Sequence, residues 1–307
     1  MKYTFPQRGV ALIIALLVVA LATILIAALL DRGELALART RNQMRLAQAQ
    51  SYMEGLEAYA ARVLVQSAAQ AGNDSNSSPW AIPLPSTPVP EGRISATMRD
   101  LNGCFNLNDL VDASGAQDPN WTSLFVRLLK ALKLDPGLAQ VAADWMLASP
   151  VASAANGDGF YLAQPIPYRT ARHTFVHVSE LRLLRGVDGD TYAKLAPNVC
   201  ALPQVTKINV NTATVPVLMT LNDSMTEQLA QRLWQNGHAN FADSTATSLG
   251  VPIVIFPDAY GVTSDHFLAR GDIILDELPF TFYSLIEFRK SVGGGIHVIE
   301  RTRGSDE

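Results

Sequence analysis

The side chains of this sequence that could do chemistry are few and scattered. Five histidines, His173, His177, His238, His266 and His297, are spread over the carboxy-terminal half. Only His173 and His177 have a spacing suited to a shared metal, and the glutamate that a metalloprotease helix places after its first histidine is Thr174 here. Thr174, Phe175 and Val176 favour a strand, on which both rings would share one surface face. No nucleophile elbow and no cysteine–histidine pair can be picked out. The triplet Gly293-Gly294-Gly295 lacks the lysine and hydroxyl ending of a phosphate loop and reads as a tight turn between strands. Cys104 and Cys200 are too few for a four-thiolate zinc site. They suit either one bridge in an oxidising compartment or two buried free thiols. The chain therefore reads as a non-enzyme without a cofactor.

Charge argues against nucleic acid. The formal net charge is −4, with 17% charged and 48% hydrophobic residues. Two stretches, Leu184 to Asp190 and Ile208 to Ala213, look like helix-hairpin-helix or SAM-like units. In a DNA-binding hairpin, glycine-opened turns offer backbone N–H groups to phosphate. Asp188 and Asp190 would repel phosphate from the first turn, and Leu221 to Ser224 contains no glycine. Between Leu101 and Gly250 there are 10 Lys and Arg against 12 Asp and Glu, whereas phosphate binding needs a basic face. These hairpins are expected to be protein-docking scaffold.

The elements that must position any site begin with the amino terminus. Val10 to Leu30 is 21 residues long, uncharged, with Thr23 its one hydroxyl residue. At about 1.5 Å per helical residue it matches a hydrocarbon core of roughly 30 Å. A cleaved secretory signal has a shorter apolar region ending in small residues, unlike Asp31-Arg32-Gly33 here. A plain signal anchor fits the composition equally well. Lys2 and Arg8 on one side and Arg32, Arg39, Arg41 and Arg45 on the other leave the orientation undecided by charge alone.

From Glu34 to about Ala71 the sequence is rich in Ala, Leu, Gln, Arg and Glu without proline, so the helix should continue to about residue 70. The breaker cluster Gly72 to Pro79 stops it, and five prolines from Pro79 to Pro90 predict an extended loop. Gly92 to Leu101 reads as a strand. Helices follow at Trp121–Leu134, Pro136–Leu147, Val178–Arg185, Asp190–Ala196, Thr212–Leu221 and Met225–Gln235. Strands return at Ser264–Arg270, Phe280–Phe288 and Ile296–Thr302. Strand, then helix, then strand predicts an α+β domain with an all-α insert.

Gln7-Arg8-Gly9 directly before the apolar helix resembles the leader of type IV pilins and pseudopilins. Asp100 to Asn108, with Gly103 and Phe105-Asn106-Leu107-Asn108, resembles the D-x-x-G-x-F-N-L-N segment of K-type minor pseudopilins of type II secretion systems. Pro167 to Ala171, Ser179 to Leu184, Tyr192 to Pro197 and Ile208 to Ala213 extend the likeness along nearly the whole chain. Ile14 stands where most pilins carry a glutamate, and the K-type subclass lacks that acid. The resemblance implies cleavage after Gly9 by a prepilin peptidase, with N-methylation of Val10. It also implies a pseudopilin fold: a long transmembrane helix packed on a small antiparallel sheet, with a large all-α inserted domain containing the SAM-like units. The expected divisions are a leader at 1–9, the helix at 10–71, sheet regions at 72–102 and 251–307, and the insert at 103–250.

Further expectations rest on the same resemblance. The chain would sit in the bacterial inner membrane by a single span, with its carboxy-terminal domain in the periplasm, where a Cys104–Cys200 bridge is favoured over free thiols. Its partners would be other minor pseudopilins, the prepilin peptidase and inner-membrane secretion components. It would act at the pseudopilus tip, initiating or capping assembly for the export of folded proteins. K-type relatives carry an acid-rich stretch suited to calcium. Here Asp144, Asn156 and Asp158 form a weak calcium candidate, since Leu147, Ser149 and Gly157 replace the acids, and an ordinary Asn-Gly-Asp-Gly turn is the alternative. A pilin-like DNA-uptake module, for which the helix-hairpin-helix-like stretches speak, and an anchored hydrolase, for which no residue pattern speaks, are the competing functions.

Overall fold

A computed structural model describes residues 10–70, 72–147, 157–203, 206–290 and 295–304. The chain divides into two compact units, Met1–Tyr52 and Met53–Glu307. One helix, α1, runs Val10–Gln70 without a break. Its apolar window has a mean hydropathy of 3.2 and is not buried against protein, so length and composition allow it to cross a membrane. Thr23 does not disturb that run, because its hydroxyl donates to the carbonyls of Ala20 (2.8 Å) and Val19 (3.1 Å) within the helix.

In the second unit a five-stranded antiparallel sheet has the order β1-β2-β7-β8-β9. Its strands are β1 Leu84–Val89, β2 Gly92–Asp100, β7 His266–Leu275, β8 Leu278–Phe288 and β9 Ile296–Arg303. Ala60 and Leu64 of α1 pack with Trp80 on Phe267, Ala269, Ile286 and Phe288. Glu57 is buried on the same helix face, and the ladder explains how that is tolerated. Arg301 donates twice to its carboxylate (2.7 and 2.7 Å), and the Ser284 hydroxyl donates at 2.5 Å. Burial opposes the charge, but Arg301 and Ser284 outweigh it and hold Glu57 below the usual carboxylate range.

The proline-rich loop expected before residue 90 is in part a strand. Pro85 and Pro88 are accommodated because β1 is an edge that pairs only with β2, and the register shifts between Leu84 and Thr87. No strand forms at 174–176: that segment is loop, with its backbone claimed by side chains described below. Val178–Leu183 is a 3-10 turn rather than an α-helix, and His177 caps it through its ring nitrogen. The triplet at 293–295 falls largely outside the described residues.

Between β2 and β7 lies the helical insert, built as two lobes. The first contains β3 (Phe105–Asn106), α2 (Pro119–Ala131), α3 (Leu138–Met146), α4 (Asp158–Leu162), α5 (Gly189–Leu195) and β4 (Val199–Cys200). The second contains β5 (Ile208–Asn209), α6 (Val215–Leu218), α7 (Glu227–Trp234), α8 (Ala246–Leu249) and β6 (Tyr260–Gly261). Local chemistry starts these helices: Asp118 accepts from the N–H groups of Asn120 and Trp121, and Pro119 opens α2. Leu124, Phe125, Leu128 and Leu129 form its buried face. One apolar core runs through both lobes, from Phe105 to Tyr260. Val251, Val254 and Ala259, which lie in the stretch assigned by sequence to the sheet region, belong to that helical core.

Candidate functional site

The described residues offer no group of three or more His, Cys, Asp or Glu placed to hold a metal. Instead, the concentrated chemistry lies where the insert joins the sheet. The first lobe is closed by a parallel pair, Phe105 opposite Val199 and Asn106 opposite Cys200. Cys104 and Cys200 are bridged there, with Cα atoms 5.9 Å apart and a sequence separation of 96. Asn106 accepts from Leu202 N–H (3.0 Å) and Asn108 N–H (3.2 Å). Asn108 grips the Phe175 backbone from both sides, accepting from its N–H at 2.7 Å and donating to its carbonyl at 2.9 Å. Gly103 is required by close approach, because a Cβ there would meet the Thr212 carbonyl oxygen at 2.6 Å.

The second lobe repeats this closure. Ile208 lies opposite Tyr260 and Asn209 opposite Gly261, again parallel. Asn209 accepts from Asn211 N–H at 3.0 Å. Asn211 then accepts from Phe241 N–H at 2.7 Å and donates to Phe241 O at 3.1 Å. Phe-Asn-Leu-Asn and Ile-Asn-Val-Asn are thus the same device used twice: the first asparagine folds the turn and the second clamps a distant phenylalanine backbone. Buried amides with every partner in place hold one arrangement strongly, since any other leaves them unpaired. In the sequence the repeat is marked by the x-Asn-x-Asn pattern shared by residues 105–108 and 208–211.

Asp100, at the end of β2, ties this second closure to the sheet. Its carboxylate accepts from Ser264 Oγ (2.5 Å), Thr212 Oγ1 (2.5 Å), Asn209 Nδ2 (3.1 Å) and Asn102 N–H (2.7 Å). Burial pushes the group up to about 6; those donors pull it down, and neighbouring Asp74 adds to the rise. Asp74 in turn accepts from Ser264 N–H (2.8 Å) and Lys290 Nζ (2.5 Å). Asn102 completes the joint by accepting from Asp265 N–H (3.1 Å) and His266 N–H (2.9 Å).

The calcium candidates are separated in their roles. Asn156 lies outside the described residues. Asp144 is buried on α3 and accepts from Gln140 Nε2 at 2.9 Å. Asp158 accepts from Thr170 N–H and Thr170 Oγ1 (both 3.1 Å), from Arg169 (3.2 Å) and from Arg172. Partial desolvation opposes its charge, but the Thr170 donors and the Arg172 guanidinium hold it below the usual carboxylate range. Two guanidinium groups already supply the positive charge here, so the described donors fit an arginine-anchored turn better than a hard cation that needs free oxygens. His173 and His177 serve locally, the latter as a cap.

A family model described as type II secretion system (T2SS), protein K matches residues 103–204, which is the first lobe with its bridge. Type II secretion system protein K of Pseudomonas aeruginosa is 32% identical over 97% of this chain and 93% of its own length. The protein of the same name from Pectobacterium carotovorum is 31% identical, with 97% of each chain covered. The chain belongs to the type II secretion system protein K family. In structure it is similar to a chain of the GspK-GspI-GspJ complex from enterotoxigenic Escherichia coli. That likeness has a TM-score of 0.72 and 28% identity, and covers 87% of this chain and 99% of the other. The chain is a minor pseudopilin of a type II secretion system, with one amino-terminal apolar helix that fits a single-pass anchor. Of the two processing residues, Val10 begins the described helix and Gly9 lies outside the described residues.

Proposed function

We propose that this minor pseudopilin stands at the tip of the pseudopilus, where it initiates or caps assembly with other minor pseudopilins. The observation that carries this reading is the insertion of a complete two-lobed helical domain between the paired strands β2 and β7. A shaft repeats one subunit contact along its length, and a bulky insert obstructs that repetition everywhere except at an end. Partnership with other minor pseudopilins is supported by the relative whose structure is titled a GspK-GspI-GspJ complex.

In this reading a prepilin peptidase cuts after Gly9 and leaves Val10 as a methylated first residue. The span stays in the inner membrane beside the other secretion components, and the sheet and insert lie in the periplasm. A bridge between Cys104 and Cys200 is consistent with that compartment. The SAM-like hairpins of the insert act as a protein-docking scaffold. The pair α6 and α7, joined through Met219 to Thr226, is the segment that best fits such a hairpin.

Reconstitution of pseudopili with a labelled copy of this chain tests the reading. About one label per fibre, at one end, is expected. Labels spaced along the shaft at many copies would overturn it.

A further inference from the structure

The first unit carries a charge pattern that its membrane role leaves unexplained. Between the end of the apolar run at Leu30 and Tyr52, α1 bears Arg32, Arg39, Arg41 and Arg45 against only Asp31 and Glu34. Arg32 and Arg39 are seven residues apart, which brings them within about 20° of each other around the helix. Ala36 lies between them on the same stripe, with Gln43 beyond, and all four residues are exposed. Glu34 sits roughly 160° away on the helical wheel, on the side of Arg41. Asp31 lies on the other flank, about 100° from Arg32 and about 80° from Arg39, so neither acid falls within the Arg32–Arg39 stripe, and the alanine between the guanidinium groups permits close approach by another helix.

We propose that this stripe docks the acid-bearing helix face of a different minor pseudopilin, just outside the membrane. The inference rests on the heteromeric reading above and adds the chemistry of the contact. A second copy of this chain is disfavoured as the occupant, because stripe against stripe sets guanidinium groups against one another. An acidic helix at the same height supplies the missing charge, and the nearby hydrocarbon limits screening by water. The stripe thus selects an unlike partner over a like one, as a subunit present once per tip requires.

The test is co-purification of the full-length chain with the I and J pseudopilins of its own system from detergent-solubilised membranes. Low salt, about 0.1 M, is compared with about 0.5 M. For the double variant Arg32→Glu/Arg39→Glu, recovery of the partners should fall about tenfold at low salt and the deficit should shrink at high salt. Arg32→Lys/Arg39→Lys should stay within about threefold of the parent, since it keeps the charge. If the parent chain itself fails to recover either partner, the heteromeric reading fails and this inference falls with it. If the parent recovers them and the Glu variant does so equally at both salts, the stripe proposal alone is overturned. A loss insensitive to salt would also overturn it, as would an unchanged complex combined with weaker binding to phosphatidylglycerol vesicles, which would assign the stripe to lipid.

Discussion

The two lobes of the insert close in the same way but are secured differently. Each begins with an x-Asn-x-Asn turn, pairs two residues in parallel with the end of its own lobe, and clamps a phenylalanine backbone with its second asparagine. The first lobe adds a covalent bridge, Cys104 to Cys200. Its counterparts in the second lobe are Lys207 and Gly261, which occupy the corresponding places before β5 and at the end of β6. A Cβ built on Gly261 would lie 3.8 Å from the Lys207 Cβ, the usual separation within a disulfide. The second lobe relies instead on Asp100, Thr212 and Ser264. A long closure is stabilised by a cross-link, whereas a shorter one next to the sheet can borrow rigidity from the strands beside it.

Removing the bridge should have the largest effect. Cys104→Ser is expected to lower unfolding stability by roughly 4–5 kcal/mol in the chain-entropy model, read by denaturant titration without reductant. A loss under about 1 kcal/mol would mean that the asparagine network alone closes the first lobe.

The reverse experiment sharpens the comparison. Lys207→Cys/Gly261→Cys should form a second bridge spontaneously and raise stability by up to about 4 kcal/mol, an increment abolished by dithiothreitol. Failure to oxidise in the folded protein would show that the two closures are not geometrically equivalent.

The two clamps share a geometry but should differ in energy. Asn108→Ala strips the amide from the buried Phe175 N–H and from the Phe175 and Leu202 carbonyls, and should cost about 2–4 kcal/mol. Asn211→Ala leaves the part-buried Phe241 N–H unpaired while Asn73 still donates to the Phe241 carbonyl at 2.7 Å, and should cost about 1–2 kcal/mol. A larger loss for Asn211→Ala than for Asn108→Ala in unfolding curves would break this ranking.

The smallest effect concerns pH. Asp100 is raised from 3.8 to about 6 in the folded chain. The folded state therefore binds this proton more tightly than the unfolded state. Its contribution to stability increases as pH falls through about 6 and levels off near 4. Asp100→Asn should cost about 1–3 kcal/mol at pH 5 and less at pH 7.5. The stability difference between parent and variant, followed from pH 7.5 to 5, should widen by about 1–2 kcal/mol; a constant difference would show that Asp100 does not titrate in this range.

Several of these features were within reach of the sequence and others were not. The span, the unbroken helix to Gln70, the helical insert and the three carboxy-terminal strands follow from local signals: an uncharged apolar run, helix formers without proline, and periodic burial. The β1 strand did not, because prolines argue against a strand until it is known to be an edge, and edge position is a property of the assembled sheet. The His173–His177 segment misled for a related reason, since β-branched and aromatic residues favour a strand only where another strand is present to pair with them.

The amino-acid order alone determined which stretch can enter a membrane, how far the helix persists, and which residues are able to cap, clamp or bridge. Tertiary structure decided what they are joined to. Asn108 reaches Phe175 across 67 residues and Asn211 reaches Phe241 across 30, while Asp100 meets Ser264 across 164. Arg172 turns back on Asp158 and pairs with its carboxylate across 14 residues. Helix propensity and hydropathy act between neighbours along the chain and can be read from it, but a hydrogen bond depends on position in space, which only the packed core supplies.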